Sequence, residues 1–181
     1  MHDTQDKLWW CEKGVELETR FVNDVAPRLG IPAVINPEKA HNPYAPDLLV
    51  DGHIADLKYQ GKPYFKALEQ GGVDSQYAVS FNGKDYERYG LKYPDIEIFF
   101  WVHWEETSRV IGGKPYSVNF MRGVWRTPFR ALAALCDKAQ SHAYRNRIGD
   151  KAGNAKDSYV VDLRDMECVI MSNRVYNGRG K

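Results

Sequence analysis

The dipeptide Asp51-Gly52 separates two short runs with strand character, Asp47–Val50 and His53–Tyr59, and it constrains the fold more than any other feature of the chain. A two-residue turn of this kind takes positive φ at both positions, which Asp and Gly tolerate, so the two runs are predicted to fold back as an antiparallel hairpin. Centring that hairpin on 51–52 brings residue 47 opposite residue 56, and both are aspartates. Residues two apart on a strand point the same way, so Asp56 and Lys58 share a face. The hairpin is therefore expected to gather two carboxylates and an ammonium at one spot.

Around it the pattern predicts an α/β chain. A helix is expected from about Thr4 to Leu29, ended or kinked by Pro27 and stopped by Gly30, with Leu8, Cys11, Gly14, Val15, Phe21, Val22, Val25 and Leu29 on one face. The proline-rich stretch Ile31–Tyr44 reads as loop with a short strand at Ala33–Ile35. A short helix (Lys62–Gln70), a strand (Gln76–Phe81) and a helical turn (Asp85–Gly90) follow. Asp95–Trp104 reads as a buried central strand, and Tyr116–Trp125 as a strand after the Gly112-Gly113 turn. Thr127-Pro128 is expected to open a helix to about Ala139, with Thr as cap and Pro at the first helical position. A mobile basic loop (His142–Asp157), a strand (Ser158–Leu163) and a loose tail (Asn177–Lys181) complete the reading. Without repeats or a linker, residues 1–181 are expected to form a single domain.

Composition narrows the function classes. No apolar run approaches the roughly 18 residues of a membrane helix, and the polar start Met-His-Asp-Thr-Gln-Asp-Lys does not resemble a secretory signal. Three scattered cysteines, Cys11, Cys136 and Cys168, argue against a disulfide framework, so a reduced, cytoplasmic setting is expected. The net charge is only +1, but its distribution is uneven. Residues 1–106 hold 11 Lys/Arg against 18 Asp/Glu, and residues 107–156 hold 10 against 2. Such asymmetry suits a polyanionic partner, or two solvated faces that neutralise each other. Arg145, Arg147, Lys151 and Lys156 on the basic loop are the nucleic-acid-binding candidates.

Two converging carboxylates repel unless a cation lies between them, and hard oxygen donors suit Mg²⁺ or Mn²⁺. Such an ion polarises a phosphate and lowers the pKa of bound water, while Lys58 would position or deprotonate that water and stabilise charge on phosphorus. Glu18 adds to the cluster: at about 100° per residue it falls within the apolar face of the first helix, whereas Glu12 and Glu16 turn toward solvent. An inward carboxylate needs a partner, and a shared metal would provide one.

Pro46-Asp47 followed by Asp56-Leu57-Lys58 resembles the motif of the PD-(D/E)XK nuclease superfamily. There the motif lies on a hairpin at one end of a mixed sheet flanked by helices, often with a glutamate on the preceding helix. The run from Gly14 to Glu18 also resembles the Gly-x-x-x-Glu start of Holliday-junction resolvases. The resemblance spans about Lys13–Gln60 and implies a restriction-endonuclease-like mixed central sheet and an Mg²⁺-dependent deoxyribonuclease, an endonuclease, with Mn²⁺ substituting. It implies Asp47, Asp56, the Leu57 carbonyl and Glu18 as metal ligands, with Asp47, Asp56, Lys58 and Glu18 as catalytic residues. DNA is the expected partner, and a homodimer is left open. Against this stand plainer readings. Asp56 with Lys58 would be an ordinary ion pair, Glu18 would pair with Arg20 or Arg88, and the chain would be a non-catalytic nucleic-acid-binding module or a protein-interaction protein.

Overall fold

The computed structural model describes residues 7–42, 44–139 and 158–172, with side chains from Lys13 onward. In chain order the elements are α1 (Lys7–Arg20), β1 (Ala33–Ile35), β2 (Leu48–Val50), β3 (His53–Gln60), α2 (Ala67–Gly71), β4 (Ala78–Asn82), α3 (Gly83–Lys92), β5 (Glu97–Trp104), β6 (Ser108–Ile111), β7 (Lys114–Ser117), β8 (Met121–Pro128), α4 (Phe129–Lys138), β9 (Ser158–Asp162) and β10 (Glu167–Ser172). The expected hairpin forms in the expected register. Asp51 and Gly52 take φ of 52° and 77°, and Leu48, Leu49 and Val50 pair with Ala55, Ile54 and His53.

That hairpin is one side of a mixed six-stranded sheet, ordered β1-β2-β3-β5-β8-β10. All neighbours are antiparallel except β3 and β5, which run parallel with Asp56 opposite Ile98 and Lys58 opposite Phe100. β5 is buried on both faces, because Ile98, Phe100 and Val102 point one way while Phe99 and Trp101 point the other. Each such side chain removed from water contributes roughly 1.5–3 kcal/mol, so β5 anchors both layers. One layer packs Phe21, Leu48, Ala55, Leu57, Phe99 and Trp101 beneath the segment that follows α1. The other packs Phe81 of β4, Tyr89 of α3 and Phe129 and Leu132 of α4 against the opposite face. β4 and β9 pair in a small sheet of their own.

Several expectations change in detail. The long first helix is α-helical only to Arg20. Phe21–Val25 then forms a π-helical turn closed by Ala26 N–H on the Phe21 carbonyl (2.8 Å), and Pro27–Leu29 a 3₁₀ turn ended by Gly30 at φ 66°. Phe21 is fully buried, as its place on the apolar face predicts, while Val15, expected on the same face, is 58% exposed. The predicted strand Tyr116–Trp125 is two strands. Lys114–Ser117 pairs with Ser108–Ile111 around Gly112-Gly113, both at positive φ, and β8 starts afresh at Met121. Thr127 is not a helix cap but the penultimate residue of β8. Pro128 occupies the cap position, and the first helical N–H, Phe129, is satisfied by the Ile96 carbonyl at 2.8 Å. The short helix expected at Lys62–Gln70 is confined to Ala67–Gly71. β6 and β10 were not predicted. No helix among the described residues is long and apolar enough to cross a membrane.

Candidate active site

The Pro46-Asp47 segment is fixed by Asn36, which is 5% exposed. Its side-chain amide donates to the Pro46 carbonyl (2.9 Å), and its backbone N–H donates to the Asp47 carbonyl (3.0 Å). The Asn36 side-chain oxygen also accepts from Glu38 N–H at 3.1 Å, capping the 3₁₀ turn Pro37–Ala40. An asparagine cap, a proline in the first turn and an acidic residue beside it are the ordinary reasons for such a turn to start there. The turn delivers Lys39 to the hairpin.

Lys39 Nζ lies 2.5 Å from Asp47 Oδ1 and 2.6 Å from Glu18 Oε2. Glu18 thus faces inward, as its place on the wheel predicts, with its side chain 12% exposed against 64% for Glu16. Its partner is neither Arg20 nor Arg88 but Lys39. The second Asp47 oxygen accepts from Leu57 N–H at 3.3 Å. Burial pulls the Lys39 ammonium down, but Asp47 and Glu18 outweigh it and its pKa is raised.

Asp56 is the most buried member, at 2% exposed. Burial raises its pKa and the neighbouring Asp47 charge raises it further, while Lys58 opposes both. Its Oδ2 lies 2.7 Å from Lys58 Nζ, and the Lys58 ammonium is the counter-charge of this buried carboxylate. Lys58 also reaches Asp85 Oδ2 at 2.6 Å and lies over the Phe81 and Tyr89 rings, at 5.9 and 5.6 Å from their centroids. Burial lowers the Lys58 pKa, yet Asp56, Tyr89, Asp85 and Asp47 outweigh it and hold the group charged, well above its usual range.

Asp85 stands in the first turn of α3, whose start is capped by Asn82 accepting from Lys84 N–H at 2.8 Å. A carboxylate there is favoured by the helix dipole. Asp85 Oδ1 accepts from Arg88 Nη2 (2.8 Å), which also donates to the Tyr89 hydroxyl (2.9 Å). The four sequence candidates Glu18, Asp47, Asp56 and Lys58 therefore fall in two neighbouring ion-pair sets, Glu18–Lys39–Asp47 and Asp56–Lys58–Asp85–Arg88, coupled by the Asp47 charge felt at Asp56. Lys39, Asn36 and Asp85 were missed, although the Asn36-Pro37-Glu38 and Asn82 to Asp85 cap signals could have placed the turns that carry them. Gln60 serves the scaffold: its side-chain oxygen accepts from Ser80 N–H at 3.0 Å, tying β3 to β4.

Beside Glu18, α1 and β3 leave a pocket of about 240 Å³ lined by Lys13, Gly14, Leu17, Glu18, Leu57 and Tyr59. A Cβ on Gly14 would meet Glu18 Oε1 at 3.8 Å, an ordinary contact, so the glycine keeps the pocket open rather than relieving a clash. Among the described residues, no three His, Cys, Asp or Glu side chains are grouped to share a metal ion. The carboxylates are nonetheless hard oxygen donors of the kind Mg²⁺ takes. Lys39 sits on Asp47 and Glu18, and Lys58 on Asp56. Arg145, Arg147, Lys151, Lys156 and the tail 177–181 lie outside the described residues. Comparison with protein-family models, with curated proteins and with solved structures finds no match.

Proposed function

We propose that this chain is a metal-dependent nuclease that hydrolyses DNA phosphodiester bonds with Mg²⁺, Mn²⁺ serving as substitute. The observation that carries the reading is the hairpin register. Continuing the pairing of Leu48 with Ala55 by one step sets Asp47 against Asp56, and the charge of Asp47 is felt at Asp56. A buried carboxylate and a half-buried one side by side repel, and a divalent cation shared between them would relieve that repulsion. The hairpin's place at one side of a mixed sheet, with a helical glutamate reaching it, supports the restriction-endonuclease-like arrangement that the motif resembles.

In this reading Asp47, Asp56 and the Leu57 carbonyl hold the ion, and Glu18 supports it or its waters. The ion, when bound, polarises the phosphate and supplies hydroxide near neutral pH. Lys58, fixed between Asp56 and Asp85, sets its charge against the negative charge that accumulates on the oxygens of the pentacoordinate phosphorus. Tyr89 and Phe81 shield the ammonium from water on the α3 side, which strengthens its field.

One observation favours a second reading. Every carboxylate of the cluster already has an ammonium or guanidinium partner, as in a module that keeps such a fold, binds nucleic acid and does not cut. Incubating supercoiled, linear, single-stranded and branched DNA with Mg²⁺ or Mn²⁺ separates the two. The nuclease reading expects products with wild type and none with Asp56→Ala or Lys58→Ala, each checked for folding by circular dichroism. Salt-sensitive retention of DNA with no product under any divalent ion establishes the binding module instead. Cleavage that survives both substitutions places the chemistry elsewhere.

A further inference from the structure

The cations of the cluster differ in what they hold. Lys58 and Arg88 both grip Asp85, a residue outside the proposed donor set, and Lys58 is wedged against two aromatic rings. Lys39 has as its ion-pair partners, among the described residues, Glu18 and Asp47, which both belong to that set. It joins carboxylates from two separate elements, one from α1 and one at the start of β2. It stands on a short 3₁₀ turn, and its flexible four-carbon stem lets the ammonium leave both carboxylates without moving the backbone.

We propose that Lys39 is an internal counterion which a divalent cation displaces from Glu18 and Asp47 on binding, so that Lys39 sets the metal affinity of the site. The inference rests on the metal-dependent reading above. Charge supports exchange over addition. Four carboxylates (Glu18, Asp47, Asp56 and Asp85) face three cations (Lys39, Lys58 and Arg88), one positive charge short of balance. Replacing Lys39 with a divalent ion balances the cluster. Adding the ion while Lys39 stays leaves surplus positive charge, with an ammonium and the ion competing for the same Asp47 oxygen. Without metal, the two carboxylates remain paired and the hairpin keeps its shape. Apparent affinity is the intrinsic value reduced by the fraction of molecules with Lys39 swung away, so a lysine in place nine times in ten weakens binding about tenfold.

The test reads Lys39 itself and metal affinity, not cleavage. Wild-type protein is acetylated briefly with and without Mg²⁺, and Lys39 modification is quantified by mass spectrometry. Mn²⁺ affinity is measured by calorimetry for wild type, Lys39→Met, Asp56→Asn and Lys13→Met, the last removing a nearby charge that bridges nothing in the cluster. The expected result is a Mg²⁺-dependent rise in Lys39 acetylation and Mn²⁺ binding about tenfold tighter in Lys39→Met than in wild type or Lys13→Met. Suppose Mn²⁺ binds wild type and is lost in Asp56→Asn, yet Lys39 labels equally with and without metal and Lys39→Met binds no tighter. The counterion role then falls and the metal site stands. Absence of Mn²⁺ binding in both wild type and Lys39→Met overturns the two together. The labelling arm uses wild type, so the inference remains decidable even if Lys39→Met does not fold.

Discussion

Replacing Lys58 by Met keeps the length of the stem and removes the charge that faces Asp56. Breaking a buried ion pair by deleting one partner costs about 3–5 kcal/mol, and the 23% exposure of Lys58 argues for the lower end, about 3 kcal/mol near pH 7.5. The pH dependence is the sharper expectation. Lys58 has a raised pKa in the folded state, so it is charged in both states below 10.5 and its own titration adds no pH dependence between pH 5 and 7.5. Asp56 is also raised, so the native state binds its proton more tightly than the unfolded chain does. Its ionisation therefore lowers stability as pH rises from 3.8 upward. Lys58 restrains that shift, and without it the window extends toward neutrality. In Lys58→Met the deficit should thus shrink on acidification, because a protonated Asp56 leaves only a neutral polar group unpaired, at about 1–2 kcal/mol.

Urea unfolding of wild type, Lys58→Met, Asp56→Asn and the double variant at pH 5 and 7.5 measures this. With a slope of about 2 kcal/mol per molar urea, the loss at pH 7.5 is a midpoint shift of about 1.5 M, falling to under 1 M at pH 5. Adding Asp56→Asn to Lys58→Met should recover most of the loss at pH 7.5, since it removes the stranded charge. Equal deficits at both pH values, with no recovery in the double variant, would refute the view that Lys58 acts as the counter-charge of a buried carboxylate.

Three further outcomes follow from other parts of the molecule. Asn36→Ala unties both the 3₁₀ turn and the Pro46 carbonyl, so it should cost about 2 kcal/mol in urea unfolding by leaving that carbonyl unsatisfied. Gly123→Ala should lower stability by at least about 2 kcal/mol, because the new Cβ would strike the Ile170 carbonyl oxygen and lie 2.7 Å from Trp125 Cζ3 in the β8–β10 pair; a melting temperature within a degree of wild type counts against that packing. Burial pushes the Cys136 thiol up to about 12, while Cys168 is exposed, so alkylation at pH 8 followed by peptide mapping should modify Cys168 at least about tenfold faster than Cys136.

What sequence reasoning reached, and what it did not, divides by the range of the interactions. The hairpin was legible because turn chemistry at Asp51-Gly52 and the two-residue period of a strand are local, and they suffice to set Asp47 against Asp56. The inward turn of Glu18 was legible for the same reason, from the period of one helix. β10 was not, because its residues are mostly exposed and show no alternation; it is held by backbone pairing to β8, which no side-chain pattern reports. Nor was the break between β7 and β8, where Tyr116 to Trp125 reads as one apolar run and only the separate pairing of β6 with β7 divides it. The partners of the charges were the least legible part. Lys39 meets Glu18 across 21 residues of sequence, and Asp85 meets Lys58 across 27.

This is why the same carboxylates read as a metal site in the sequence and as a chain of ion pairs in the fold. Local rules predict where carboxylates converge, but only the tertiary approach of other elements decides which cation meets them. The two descriptions are compatible if the cations are unequal. Each lysine bridges two carboxylates, but Lys58 also lies over two rings and grips Asp85, whereas both partners of Lys39 belong to the proposed donor set. Exchange at Lys39 alone would leave the Asp56–Lys58–Asp85 core intact, so the residues that stabilise the hairpin without metal would be the ones that serve catalysis with it.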